Sequence, residues 1–167
     1  MLLYLMRHGR AEVGAPGQPD HERSLTPEGL VEVQQIASAL PWTGWHVPRL
    51  FSSPYRRAQQ TADALVRELG CPFQEAPALI PGFRMGELVA ALNPYPDLEA
   101  AFIVTHQPSI GQVVASLTGS RLMIAPATIV VVDVSRLRSG GGTLRGCYEP
   151  STMANLGRFW QKRESAS

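Results

Sequence analysis

Apolar residues in this chain alternate between short unbroken runs and stretches in which they recur every three or four positions. Met1 to Met6 is an unbroken run with no polar alternation, the pattern of a strand covered on both faces in a parallel sheet. Leu50-Phe51-Ser52 and Ala101 to Thr105 are two more such runs. Between and after them the period lengthens. Leu30, Val33, Ala37 and Leu40 give one apolar helix face, Ala58, Ala62, Leu65 and Leu69 a second, and Ile110, Val113, Val114 and Leu117 a third. Thr26-Pro27-Glu28 reads as a helix cap, a first-turn proline and an acid at the positive end of the dipole. Ser53-Pro54 reads as a similar start for the second helix, and Pro108 as the start of the third. Phe83 to Leu92 predicts a weaker helix closed by Asn93-Pro94, and Met153 to Trp160 predicts the last one. Thr128 to Val134 is strand-like, Ser139 to Gly142 is a turn, and Thr143 to Tyr148 can return beside it as a hairpin. Strands alternating with helices predict an α/β fold, a three-layer α/β/α sandwich whose mostly parallel sheet has an antiparallel edge hairpin. With neither an internal repeat nor a long linker, residues 1–167 are expected to form a single domain.

Composition narrows the function without naming it. A chain of 167 residues, 44% hydrophobic and 17% charged, has enough apolar material for one continuous core. Its formal net charge of +1 supplies no global basic field, so no nucleic-acid partner is expected and any anion site must be local. The apolar run at Met1 to Met6 is too short for a signal peptide or a membrane span, so the expected location is cytoplasmic and no membrane partner is expected. Cys71 and Cys147 form no CxxC pair, and two reduced thiols fit that location.

Three strand candidates end in chemically active residues: the first in Arg7-His8, the second in Ser52-Ser53 just before Arg56-Arg57, and the third in His106. Ligands in open α/β sheets bind outside the carboxyl ends of the strands, so two histidines and two arginines are expected to meet there. Guanidinium groups stay charged and offer a planar fork of donors that suits phosphate oxygens. A neutral imidazole nitrogen can attack phosphorus. Neither HExxH nor paired carboxylates accompany the histidines, so no metal and no cofactor are expected. Ser53 is most simply a helix cap, with a phosphate contact as the other reading. His21 and Arg23 lie in a loop whose default is a solvated face, with substrate contact the alternative. His46 reads as structural or exposed, and Trp42, Trp45 and Trp160 as packing residues.

Leu5-Met6-Arg7-His8-Gly9, the segment Ser52 to Ala62 and Val104-Thr105-His106 resemble, in order and spacing, the three signature motifs of the histidine phosphatase (phosphoglycerate-mutase-like) superfamily. The resemblance spans Leu2 to about Leu117. It implies that His8 is phosphorylated during turnover while Arg7, Arg57 and His106 bind the phosphoryl oxygens, and its register selects Arg57 over Arg56. Asp20 to Gly29 is similar to the D-x-x-R-x-L-T-x-x-G stretch of the small SixA-like phosphohistidine phosphatase branch. The short stretch between Gly70 and Ala100 leaves no room for the helical insertion of larger mutases and acid phosphatases, so a mutase is not expected. Those relatives carry a proton-donating carboxylate on the insertion. Here Glu75, Glu87, Asp20 and Glu22 are all candidates and none sits in a motif. Three functions follow. The first is a phosphatase for phosphohistidine on a signalling or carrier protein, the second a phosphomonoesterase for a small metabolite, and the third a noncatalytic phospho-ligand binding module. The expected partner is accordingly a phosphorylated protein or a small phosphorylated substrate, with the oligomeric state left open and a monomer one option.

Overall fold

A computed structural model describes residues 1–164, so the end of the expected 1–167 domain lies outside the described residues. In chain order the elements are β1 (Leu2–Arg7), α1 (Pro27–Ala39), β2 (Leu50–Ser52), α2 (Arg56–Leu69), β3 (Phe73–Glu75), α3 (Met85–Leu92), β4 (Ala100–Thr105), α4 (Ser109–Thr118), β5 (Ile129–Val134), β6 (Gly142–Tyr148) and α5 (Pro150–Glu164). Short 3-10 turns cover Asp20–Glu22 and Leu40–Thr43. One six-stranded sheet has the order β3-β2-β4-β1-β5-β6. The first four in that order run parallel, β5 is antiparallel to β1, and β6 is antiparallel to β5. This is the expected three-layer α/β sandwich with its antiparallel edge.

The unbroken apolar runs are explained by two cores, one on each face. On one face Tyr4, Met6, Phe102 and Val104 pack against Val33 and Ile36 of α1, Ala58 and Leu65 of α2 and Met153 of α5. On the other, Leu3, Leu5 and Ile103 pack against Leu88 and Leu92 of α3 and Ile110, Val113 and Leu117 of α4. Successive residues of β1 and β4 point to opposite faces, so both strands need apolar side chains at every position. Adjacent strands β1 and β4 therefore send their following helices to opposite faces, which opens a crevice at their carboxyl ends.

Several boundaries differ from the sequence reading. The missing strand is β3, whose Phe73, Gln74 and Glu75 are all exposed at the sheet edge and carry no apolar run. Leu30 is 45% exposed and Ile36 fully buried, so the inward stripe of α1 runs through Val33, Ile36 and Ala37. Helix α2 begins at Arg56 behind Tyr55, not at Pro54, because Ser53 uses its hydroxyl elsewhere. Helix α3 begins at Met85 instead of Phe83, and α5 begins at Pro150, a proline at the first helical position, instead of Met153. Trp160 is 37% exposed, whereas Trp45 stacks on Tyr4 with centroids 4.9 Å apart, as a packing residue should.

The start of α1 follows the sequence. Thr26 accepts the Gly29 N–H through its hydroxyl at 3.0 Å, with Pro27 in the first turn. Gly29 is there for space: a Cβ at this position would lie 2.2 Å from the Arg10 carbonyl oxygen. Gly29→Ala should therefore push α1 off the loop that follows His8, at about 1–3 kcal/mol for overpacking. For a domain of this size that is a fall of roughly 2–12 °C in Tm. Gly86, also helical but with nothing within 4 Å of a built Cβ, is the control. Gly86→Ala should be neutral or stabilising, since alanine is the better helix former by about 1 kcal/mol. Thermal unfolding of both variants checks the pair, and equal behaviour would remove the steric account.

Candidate active site

Each parallel strand delivers one part of the site. The β1–β4 ladder pairs Arg7 with Thr105 and continues one residue further, where His8 N–H donates to the Thr105 carbonyl at 3.0 Å. This sets His8 and His106 side by side, ring centroids 5.1 Å apart. Beyond β2, Ser53 N–H donates to the Val104 carbonyl at 3.1 Å, so the segment leading into α2 is fixed against β4. Gly9 permits the close approach of α1, since a Cβ there would lie 2.6 Å from Val33 Cγ2. Its N–H donates to Thr61 Oγ1 of α2 at 3.1 Å.

The hydrogen bonds of His8 fix its tautomer. Nδ1 lies 2.7 Å from the Gly9 carbonyl oxygen, which can only accept, so Nδ1 carries the proton. Nε2 is left as a lone pair, and the Arg57 Nε–H donates to it at 3.1 Å. Burial lowers the His8 pKa from 6.5 to about 4, with the Gly9 bond pulling the other way and the charges of Arg57, Arg7 and Arg23 adding to the fall. His106 falls to about 3, through burial first and then the neighbouring His8 and Arg57. Both rings are neutral at physiological pH.

Arg57 is the centre of the charge network and is almost wholly buried. Its Nη1 donates to the Asp20 carbonyl at 2.6 Å and its Nη2 to the Asp20 carboxylate at 2.9 Å. The other Asp20 oxygen accepts from Arg23 Nη1 at 2.8 Å, and Arg23 Nε donates to the Glu12 carbonyl at 2.8 Å. Arg56, by contrast, is exposed, as the motif register implied. Arg7 reaches across to the loop before β5, its Nη1 donating to the Ile124 carbonyl at 2.9 Å. An open hollow of about 340 Å³ lies beside it, lined by Arg7, Gln107, Pro108, Met123, Ile124 and Ala125.

Ser53 does not cap α2. Its Oγ lies 2.7 Å from His106 Nε2 and accepts the Tyr55 N–H at 3.4 Å. A serine hydroxyl that accepts from Tyr55 can give its own proton to Nε2, which leaves the His106 ring proton on Nδ1. Arg7 Nε and His106 Nδ1 are both buried without a hydrogen-bond partner among the described residues, an uncommon state for polar atoms in a folded interior. The aromatic ring of Tyr55 completes one wall: it meets His106 edge-on at 5.1 Å, lies 5.0 Å from the Arg57 guanidinium carbon, and meets His21 at 6.1 Å.

Arg7, His8, Arg57 and His106 thus come together in one place, with Ser53, His21 and Arg23 around them. The four carboxylates considered as proton donors are otherwise engaged or exposed. Asp20 is held below the usual carboxylate range, first by its bond to Arg23 and then by Arg57. Glu87 accepts the Arg84 N–H as a helix cap, which lowers its pKa too. Glu75 accepts from Gln59 at 2.9 Å, and Glu22 is exposed beside His21. His46 is exposed and stands apart from this network. Tyr55, Thr61, Gln59 and the Ile124 carbonyl had no assigned role in the sequence reading. Thr61 could have been found from its spacing, one helical turn after Arg57, whereas a backbone carbonyl on an irregular loop leaves no trace in side-chain pattern. Among the described residues no group of three or more His, Cys, Asp or Glu is arranged to hold a metal ion, and no helix is long and apolar enough to cross a membrane.

Known proteins resemble this chain in sequence and in fold. Residues 3–81 match the family model described as histidine phosphatase superfamily (branch 1). The phosphohistidine phosphatase SixA homolog of Haemophilus influenzae is 32% identical over 145 residues, covering 77% of this chain and 85% of that protein. The structure of the protein histidine phosphatase SixA complexed with tungstate superposes with a TM-score of 0.81 at 27% identity, covering 92% of this chain and 99% of that one. The alpha-ribazole phosphatase of Shigella flexneri shares the fold, with a TM-score of 0.72 at 18% identity over 90% of this chain and 97% of that one. Sequence motifs, sheet topology and these relatives converge: the chain belongs to the histidine phosphatase superfamily, in its SixA-like branch, and is a phosphatase.

Proposed function

We propose that this phosphatase removes the phosphoryl group from phosphohistidine on a signalling or carrier protein, in two steps through a phosphoryl intermediate on His8. The observation that carries the reading is the fixed tautomer of His8. With its proton held on Nδ1 by the Gly9 carbonyl, Nε2 presents a lone pair beside Arg57 in a pocket rich in donors. In the first step that lone pair forms a bond to phosphorus while the bond to the leaving nitrogen breaks and its electron pair departs with the leaving ring. In the second, a water oxygen bonds to phosphorus and the P–Nε2 pair returns to His8. Arg7, Arg57 and His106 are the groups assigned to the phosphoryl oxygens. Arg7 Nε, unpartnered among the described residues, is a donor that a phosphoryl group can satisfy, and His106 Nδ1 is a second in the tautomer whose Nε2 accepts from Ser53.

The carboxylates support this substrate class. Asp20 and Glu87 are both held below the usual carboxylate range, so neither keeps a proton to give at neutral pH. Departure of an alkoxide needs an acid positioned at the breaking bond, worth about 10² to 10⁴ in rate, whereas an imidazole already protonated on its distal nitrogen departs without one. The SixA names of the relatives point the same way.

The test is a side-by-side assay on a phosphohistidine protein, a phosphoramidate and alkyl phosphate monoesters. Turnover of the first two without added metal, unaffected by EDTA, is expected, with the alkyl esters nearly inert. Equal rates on alkyl esters would move the assignment to a small-metabolite phosphomonoesterase. His8→Ala should abolish turnover while circular dichroism stays unchanged. Arg57→Ala should also weaken phosphate binding by about 1.5–3 kcal/mol, roughly 10- to 150-fold in Kd.

The two depressed histidines also set the pH dependence of stability. An unfolded histidine takes up a proton near 6.5, whereas folded His8 and His106 do so only near 4 and 3. Below 6.5 the unfolded state therefore binds more protons, and the stability present above that pH declines as pH falls toward 4. Urea midpoints between pH 7 and 4 should follow this slope, and His106→Asn should flatten it. A midpoint independent of pH in the wild type would contradict the burial of two neutral rings.

A further inference from the structure

The turn that carries Asp20 also sets His21 at the mouth of the site. The Asp20 carbonyl, one peptide bond before His21, is the group bonded to Arg57 at 2.6 Å, and the His21 ring packs against the Tyr55 ring that flanks Arg57 and His106. Its side chain is 61% exposed, which leaves it accessible to a substrate at this mouth. Resting on the reading that the substrate is a phosphohistidine, we propose that His21 is a further catalytic residue, the proton donor to the distal ring nitrogen of the leaving imidazole.

The reason lies in the leaving group. An imidazole bonded to phosphorus through one nitrogen has a second nitrogen on the far side of the ring. When that nitrogen is bare, breaking the P–N bond expels an imidazolate anion, a strong base and a poor leaving group. When it carries a proton, a neutral imidazole departs. The acid that matters therefore belongs beyond the phosphorus, at the mouth and not within the pocket. For His8 the same requirement is met from inside: the Gly9 carbonyl keeps Nδ1 protonated, so phospho-His8 always leaves as a neutral ring. Nothing equivalent is supplied for the substrate ring except by a side chain at the rim. The Asp20 carboxylate, itself half exposed, is held ionised between two arginines, whereas imidazole is the side chain that most commonly exchanges protons near neutral pH.

The cycle balances. His21 in its protonated form gives a proton to the distal nitrogen as the P–N pair collapses onto the leaving ring, and His21 becomes neutral. Water then attacks phospho-His8, its oxygen bonds to phosphorus, its proton returns to His21, and hydrogen phosphate leaves. The charged and titratable groups around His21 are Glu22, 3.8 Å away, with Asp20 and Arg23 from the same turn, and Tyr55 and Arg57 from the start of α2.

The experiment compares N-phosphoimidazole with its distally methylated analogue, 1-methyl-3-phosphoimidazolium, whose ring is permanently cationic and needs no proton. Rates are read above the uncatalysed background for wild type and His21→Gln. At pH 8 the variant should lose about 10- to 100-fold on N-phosphoimidazole. The loss should shrink toward pH 5.5, where solvent protonates the substrate ring, and should be absent on the methylated analogue. No loss on N-phosphoimidazole, or an equal loss on both substrates, would overturn the role of His21. A wild type inert toward both P–N substrates but active on aryl phosphates would instead overturn the phosphohistidine reading, and with it this proposal.

Discussion

The pairing of β1 with β4 is the constraint on which the site depends. These strands are neighbours in the sheet but distant in sequence, and their ladder runs to its last residues and past them, with His8 N–H on the Thr105 carbonyl at 3.0 Å. Because α1 and α4 cover opposite faces, the chain diverges immediately after this bond and leaves the crevice into which both histidines project. A slip of one residue in register would turn every side chain of β1 to the wrong face, apolar core and catalytic edge together. The stability of the core and the geometry of the site are thus consequences of the same hydrogen-bond ladder.

Placing three arginines around two histidines is electrostatically tense, and the structure resolves it by keeping the histidines neutral and balancing the arginines. Burial and the neighbouring cations hold both imidazoles unprotonated. Asp20 bridges Arg57 and Arg23, so the most buried guanidinium is not left without a counter-charge. That single carboxylate cannot serve as both counter-ion and acid. Its engagement by two arginines holds it ionised, as a counter-ion and not as a proton donor.

Much of this was legible in the sequence because it rested on local rules. Apolar runs marked β1 and β4, Thr26-Pro27 marked the start of α1, and three strand ends named Arg7, His8, Arg57 and His106. What escaped was non-local or unpatterned. β3 is an exposed edge strand whose place is set by backbone bonds to β2, not by buried side chains. Ser53 has the local context of a helix cap, but the His106 imidazole, 53 residues away in sequence, lies within 2.7 Å of its hydroxyl. Gly29 could be read as part of a motif but not as a gap for the Arg10 carbonyl until the loop was seen folded over α1.

Phosphohistidine chemistry imposes the same demand on both halves of a turnover, since an imidazole must leave phosphorus twice. An enzyme that uses histidine to accept the group has to protonate the distal nitrogen of two different rings, one its own and one the substrate's. On the proposed reading the Gly9 carbonyl meets the first demand permanently, because a carbonyl can only accept and so keeps the proton on Nδ1. The second ring arrives and departs with the substrate, so its proton source must be exchangeable and must sit where the substrate enters. The Asp20 carboxylate, held ionised between two arginines, fails the first condition, whereas the exposed imidazole beside it on the same turn satisfies both.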